Sequence, residues 1–236
     1  MADLDFVHLH VHSAYSLLEG ALPIGKLADL AKADKQAALA LTDTDNMFGV
    51  LEFSEKMAGS GIQPIVGCAL AVDFGDTENG PRATLAANER QRLVLLAASE
   101  EGYRTLMRLN SRAFMESPPN EPPRARIEWL EEERDGIAQG IIALTGGPSG
   151  PLDRAIAAGQ SQVAAARLDR LAALFSDRLY IELQRHGTAV ERGVEKVLID
   201  FAYERGIPLV ATNEPLIILM ELNLFQIVLT CKFSYF

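Results

Sequence analysis

Apolar residues recur along this chain in two alternating rhythms. Short runs that are continuously apolar or alternate with period two suit strands. They cover Phe6–Val11, Ala37–Leu41, Pro64–Val72, Leu93–Ala97, Ile141–Leu144, Leu179–Leu183 and Pro208–Ala211. Between them, apolar positions three and four apart predict helices over Ile24–Ala33, Phe48–Ala58, Glu100–Met115, Asp153–Phe175 and Val190–Glu204. Pro23 stands where a first-turn proline is tolerated, and Gly206 stands where a helix commonly stops. Repeated β–α alternation predicts a mainly parallel sheet, and the number of strand runs is enough to close a barrel. Two stretches break the rhythm: Asp76–Arg90 is polar and rich in turn formers, and the prolines of Ser117–Pro123 exclude both helix and central strand.

Composition narrows the possibilities. The chain has 236 residues, close to half of them apolar, so a large core is available to one barrel domain. A formal net charge of −10 argues against an extensive phosphate-binding surface, and little direct contact with DNA is expected. Two cysteines, Cys68 and Cys231, are too few for a disulfide framework, which fits a cytoplasmic protein. The stretch Leu216–Phe236 is largely apolar, but Glu221, Asn223 and Gln226 interrupt it, and a membrane anchor is not expected.

Candidate chemistry gathers at strand ends. Three of the four histidines lie in Phe6-Val7-His8-Leu9-His10-Val11-His12-Ser13. On a regular strand His8, His10 and His12 share one face, a row of imidazoles that suits Zn²⁺ or Mn²⁺. Other strand runs finish in polar groups: Thr42-Asp43-Thr44-Asp45-Asn46, Thr145-Gly146-Gly147, Glu182 with Gln184 and His186, and Thr212-Asn213-Glu214. In parallel α/β architectures these ends meet at one face, where sites form. Cys68 and Trp129 read as packing residues, and His186 could line the pocket or face water.

Five segments together resemble a known family. They are His8-Leu-His10-Val-His12-Ser-Ala-Tyr-Ser16, Ala40-Leu-Thr-Asp43-Thr-Asp-Asn46-Met-Phe-Gly49, Pro64-Ile-Val-Gly67, Leu95-Leu-Ala-Ala-Ser-Glu-Glu-Gly-Tyr103 and Ala211-Thr-Asn-Glu214-Pro215. They are similar to the PHP (polymerase and histidinol phosphatase) domain, in the version that opens the α subunit of bacterial DNA polymerase III. The resemblance implies a distorted seven-stranded parallel β/α barrel of TIM-like type over residues 1–215. It also implies a pocket that in active members holds up to three metal ions and hydrolyses phosphoesters through metal-activated water.

Against that pattern several ligands are replaced. The resemblance matches His10, His12, Asp43 and Glu214 to metal ligands, but places Thr44, Ala69, Arg92, Gly147 and Leu216 where further ligands are expected. Thr, Ala, Gly and Leu offer no strong ligand, and a guanidinium repels a cation. The expectation is therefore a remnant pocket that is empty or weakly occupied by Zn²⁺ or Mn²⁺, with Arg92 paired to Asp43 or Glu214 in place of metal. The implied function is a non-catalytic structural and docking module of a replicative DNA-directed DNA polymerase. Its expected partners are the rest of the α subunit and the proofreading exonuclease subunit. The alternative is a metal-dependent phosphoesterase or 3′–5′ exonuclease of the same family. Residues 216–236 depart from the family and are read as a truncated or frameshifted terminus.

Overall fold

The computed structural model describes residues 6–76, 91–119 and 121–215. The expectation for the terminal stretch 216–236, and nearly all of that for 76–90, thus lies outside the described residues. A curled sheet forms the centre, from β1 (Ala38–Leu41), β2 (Gln63–Asp73), β3 (Arg92–Ala97), β5 (Ile141–Leu144), β6 (Leu179–Leu183) and β7 (Leu209–Ala211) in that spatial order. The short β4 (Ala125–Arg126) pairs with the far end of β2. Helices α1 (Ile24–Ala33), α2 (Val50–Gly59), α3 (Glu100–Glu116), α4 (Ile127–Glu132), α5 (Arg134–Gly140), α6 (Pro151–Ala157), α7 (Ser161–Phe175) and α8 (Ala189–Arg205) alternate with the strands.

The sheet is mixed. β1 runs parallel to β2, and β5, β6 and β7 are mutually parallel, but β3 is antiparallel to both of its neighbours. A parallel connection needs a crossover element, and the sequence between β2 and β3 carries no helical period. The barrel is thus the distorted one expected, with its departure from an all-parallel sheet located at β3.

Alternation along the strands fills two layers. On β2 and β3, Cys68, Leu70, Val72, Leu93 and Leu95 face the large cluster beneath α3 to α8. Ala69, Val94 and Leu96 point inward, where they meet Ala40 and Leu144. Strands buried on both faces are apolar throughout, which is why these runs lack a polar face. A third cluster seats α1 and α2, burying Ile24, Leu27, Ala28 and Ala31 at helical spacing against Leu39, Leu41, Phe53 and Met57.

Two expected elements differ. The span Asp153–Phe175 is broken into α6 and α7 at Gly159, whose φ of +75° favours glycine. The first segment, Phe6–Val11, is no regular strand. Ala40 N–H and Thr42 N–H, two residues apart, donate to the carbonyls of His8 and Val11, three residues apart. One extra residue is accommodated there, as in a β-bulge. Side chains on either side of it no longer alternate in step.

Candidate metal and anion pocket

That extra residue decides which histidines reach the site. His8 and Val11 face α1, lining a small cavity with Leu27, Leu30, Ala31, Gln36 and Leu39, while Leu9 packs in the barrel interior. His10 and His12 turn together into the pocket, with ring centroids 5.1 Å apart. The expected row of three is therefore a pair, and His8 is a buried packing residue whose ring stands edge-on to Phe6.

The hydrogen-bond network fixes how the pair presents itself. His10 Nδ1 lies 2.7 Å from Glu182 Oε1, an acceptor, so Nδ1 carries a proton. Glu182 is fully buried on β6 and also accepts from Gly146 N–H (3.0 Å), Gln184 Nε2 (3.0 Å) and the Thr212 hydroxyl. Burial alone pushes the Glu182 carboxyl up, but His10 and these donors outweigh it and hold it below the usual range. His12 Nδ1 faces Ser16 Oγ at 3.0 Å, and Ser16 already spends its own proton on Asp43 Oδ1 at 2.6 Å. Ser16 must then accept from His12 Nδ1–H. Both rings consequently aim Nε2 into the pocket.

The two Nε2 atoms are 3.2 Å apart, and Glu214 Oε1 lies 3.3 Å from His12 Nε2 and 3.7 Å from His10 Nε2. Two donors held at about 2.05 Å on a tetrahedral Zn²⁺ stand about 3.3 Å apart, so this triangle has the edges of one face of such a site. Among the described residues these three are the group whose donor atoms converge in this way. The donor set fits a single cation, which when bound would polarise a water or a phosphoryl oxygen. Without one, two lone pairs oppose each other and a proton is favoured between them. Burial works against protonating His10, but Glu182 and Glu214 beside it prevail and raise its pKa. Burial likewise opposes charge on Glu214, yet the His12 contact and both imidazoles bring it down to about 2.

Asp43 does not join the triangle. Its carboxylate is taken up by Ser13 N–H (2.6 Å), Ser13 Oγ (2.7 Å) and Ser16 Oγ, so it organises the loop and reaches His12 through Ser16. Arg92 pairs with neither Asp43 nor Glu214, contrary to the expectation. Its Nη2 lies 2.9 Å from Glu19 Oε1, and its Nε lies 3.9 Å from Asp45 Oδ2. Glu19 Oε2 accepts from Thr44 Oγ1 at 2.7 Å. Two of the replaced ligand positions, Thr44 and Arg92, thus hold one carboxylate between them. Glu19 is the residue that sequence reasoning missed: it sits in an aperiodic loop, and its partner is 73 residues away. His186 lies outside the pocket, bound to Glu191 at 2.7 Å within the capping box that starts α8.

Residues 8–186 match the PHP domain family. The chain belongs to this family. It is 42% identical over 212 residues to the DNA polymerase III subunit alpha of Caulobacter vibrioides, covering 89% of this chain and 18% of that protein. The subunit of Treponema pallidum is 39% identical over 232 residues, 98% of this chain and 19% of that one. The subunit of Thermus aquaticus is 38% identical over 216 residues, 89% of this chain and 17% of that one. The PHP chain therefore spans under a fifth of the length of these relatives, and the match lies in their N-terminal region. Two solved structures share the fold alone. An amidohydrolase from Chromobacterium violaceum, described with bound sulfate and no metal, superposes with a TM-score of 0.53 at 17% identity over 92% of this chain and 89% of its own. A putative metal-dependent phosphoesterase from Bifidobacterium adolescentis gives 0.52 at 13% identity over 87% and 86%.

Proposed function

We propose that this PHP domain is a structural and docking module of a DNA polymerase III α subunit, working in the cytoplasm, and that its pocket does not hydrolyse phosphoesters. The observation that carries the reading is the Arg92–Glu19 pair inside the pocket. A multi-metal phosphoesterase needs anionic or neutral ligands on every side of its ions, and here a guanidinium and its counter-ion fill one side. What is left suits at most one ion on His10, His12 and Glu214, with Asp43 behind them as support for His12.

A docking role is favoured by large apolar side chains displayed to solvent. Leu17, Leu18, Phe48, Leu51, Phe114 and Met115 are all exposed, and the Phe48 and Phe114 rings lie 6.5 Å apart. Clustered exposed apolar groups mark surfaces that meet other proteins or domains. The partners assigned are the rest of the polymerase subunit and the proofreading exonuclease subunit. Among the described residues no helix is long and apolar enough to cross a membrane. Capture of the proofreading subunit by the full-length α subunit, lost when Leu17 and Phe48 are both changed to Ser, is the expected result; undiminished capture contradicts this surface.

The convergent triangle favours a second reading, a metal-dependent phosphoesterase or exonuclease. Hydrolysis of a chromogenic phosphodiester with Mn²⁺, abolished by His12→Ala, would establish it. The reading preferred here expects no turnover above the His12→Ala background.

A further inference from the structure

Glu19 is a poor match for the site that holds it. Its two oxygens are divided between different partners, Oε1 on Arg92 Nη2 and Oε2 on the Thr44 hydroxyl. A carboxylate bound to an arginine in the favoured two-pronged manner uses Nε and an Nη together. Here Arg92 Nε is buried and makes no hydrogen bond, with Asp45 Oδ2 still 3.9 Å away. The guanidinium is itself largely buried, 14% exposed, so water does not make up the loss freely.

The loop that delivers Glu19 is also held at a cost. Leu18, its neighbour, adopts a φ of +68° with its side chain wholly in solvent. For a leucine the left-handed region is strained, because its Cβ crowds the backbone carbonyl. The turn is closed by Glu19 N–H and Gly20 N–H on the Ser16 carbonyl, and Gly20 lies where a Cβ would come within 2.0 Å of the Ser13 carbonyl oxygen.

We propose that Arg92 and Thr44 form a receptor for an oxyanion, a carboxylate or phosphate group presenting two oxygens, and that Glu19 occupies it from within the chain. An external oxyanion engages Nε and Nη2 at once, which Glu19 cannot do while tethered to Thr44. Displacing Glu19 releases the strained turn and moves the Leu17–Leu18 tip, so occupancy of the receptor and the shape of the exposed apolar surface are linked. The inference rests on the pocket being non-hydrolytic, as proposed above.

The test is a formate titration of the whole chain and of Glu19→Ala, followed by the Arg92 Nε–H resonance and by the melting temperature. Glu19→Ala is expected to melt lower than the parent and to recover saturably with formate. Its Nε–H signal should shift at formate concentrations at least tenfold below any that move the parent. Glu19→Ala combined with Arg92→Gln should not respond. Inorganic phosphate in a second titration establishes which oxyanion is preferred, and a response to either that needs Arg92 supports the receptor. If Glu19→Ala does not fold, Glu19→Gln keeps the side-chain length and carries the same titration. A folded variant that responds to both anions no more than the parent, or equally without Arg92, overturns the receptor. Phosphodiester turnover measured on the same samples is a separate readout: its appearance overturns the non-hydrolytic reading and leaves the anion result to decide the receptor.

Discussion

At the residue scale, the pocket is governed by how buried charges are compensated. Burial opposes charge on Glu214, but the His12 contact and the two imidazoles lower its pKa to about 2. Its folded value lies below its unfolded one, so its contribution to stability is present above pH 4.5 and lost as pH falls toward 2. The urea midpoint should therefore drop over that window, and Glu214→Gln should flatten the drop. Asp153 behaves oppositely. It is buried in the first turn of α6, its Oδ2 has no hydrogen-bond partner, and burial followed by the repulsion of Glu182 raises its pKa to about 7. The folded state keeps that proton longer than the unfolded chain, so stability falls as pH rises from 3.8 to 7, and the loss persists above. Asp153→Asn is expected to stabilise the protein at pH 8 by about 3–4 kcal/mol and to leave it nearly unchanged at pH 4. Equal effects at both pH values in denaturant titrations would contradict this assignment.

At the scale of elements, close backbone approaches and a buried clamp fix the barrel. The start of α3 packs on the end of α5 so tightly that a Cβ on Gly102 would lie 1.9 Å from the Gly140 carbonyl oxygen. Gly102→Ala is expected to destabilise by about 3 kcal/mol, because backbone on both sides must shift. A second restraint is Arg167 of α7, 6% exposed, which holds Asp76 through two bonds of 2.7 Å and Gln91 Oε1 at 2.8 Å. It thereby joins the end of β2 to the start of β3. Loss of these charge-assisted bonds in Arg167→Ala should cost about 2–3 kcal/mol, seen as a lower denaturant midpoint. Neither restraint announces itself in the sequence. A glycine in a helical run and an arginine in an amphipathic one are ordinary until the partner element is in place.

At the scale of the molecule, period and motif carried the fold a long way. The strand runs at β1, β2, β3, β5 and β6 are legible because they are largely buried, leaving apolar runs too short for helices, and β7 is legible as a short apolar run although it is only half-buried. The direction of β3 does not follow from apolarity, and its one signal in the sequence is the missing helical period before it, since a parallel return needs a crossover element. In the pocket, His10, His12 and Glu214 were foreseeable from strand-end polarity and family resemblance. Glu182 was visible as a strand-end carboxylate, though its bond to His10 was not. The grouping of His8 with the other histidines failed because strict alternation was assumed, and one extra residue reverses it. Arg92 and Glu19 form a non-local pair whose meeting depends on the loop conformation around Leu18.

The central claim is that this pocket retains a seat for no more than one cation, its other side being taken by Arg92 and Glu19. The metal-to-protein ratio tests it most directly, measured after saturation with Mn²⁺ or Zn²⁺ and exhaustive dialysis. One ion per chain or fewer is expected, with any bound ion lost in His12→Ala. Two or three ions per chain would contradict it.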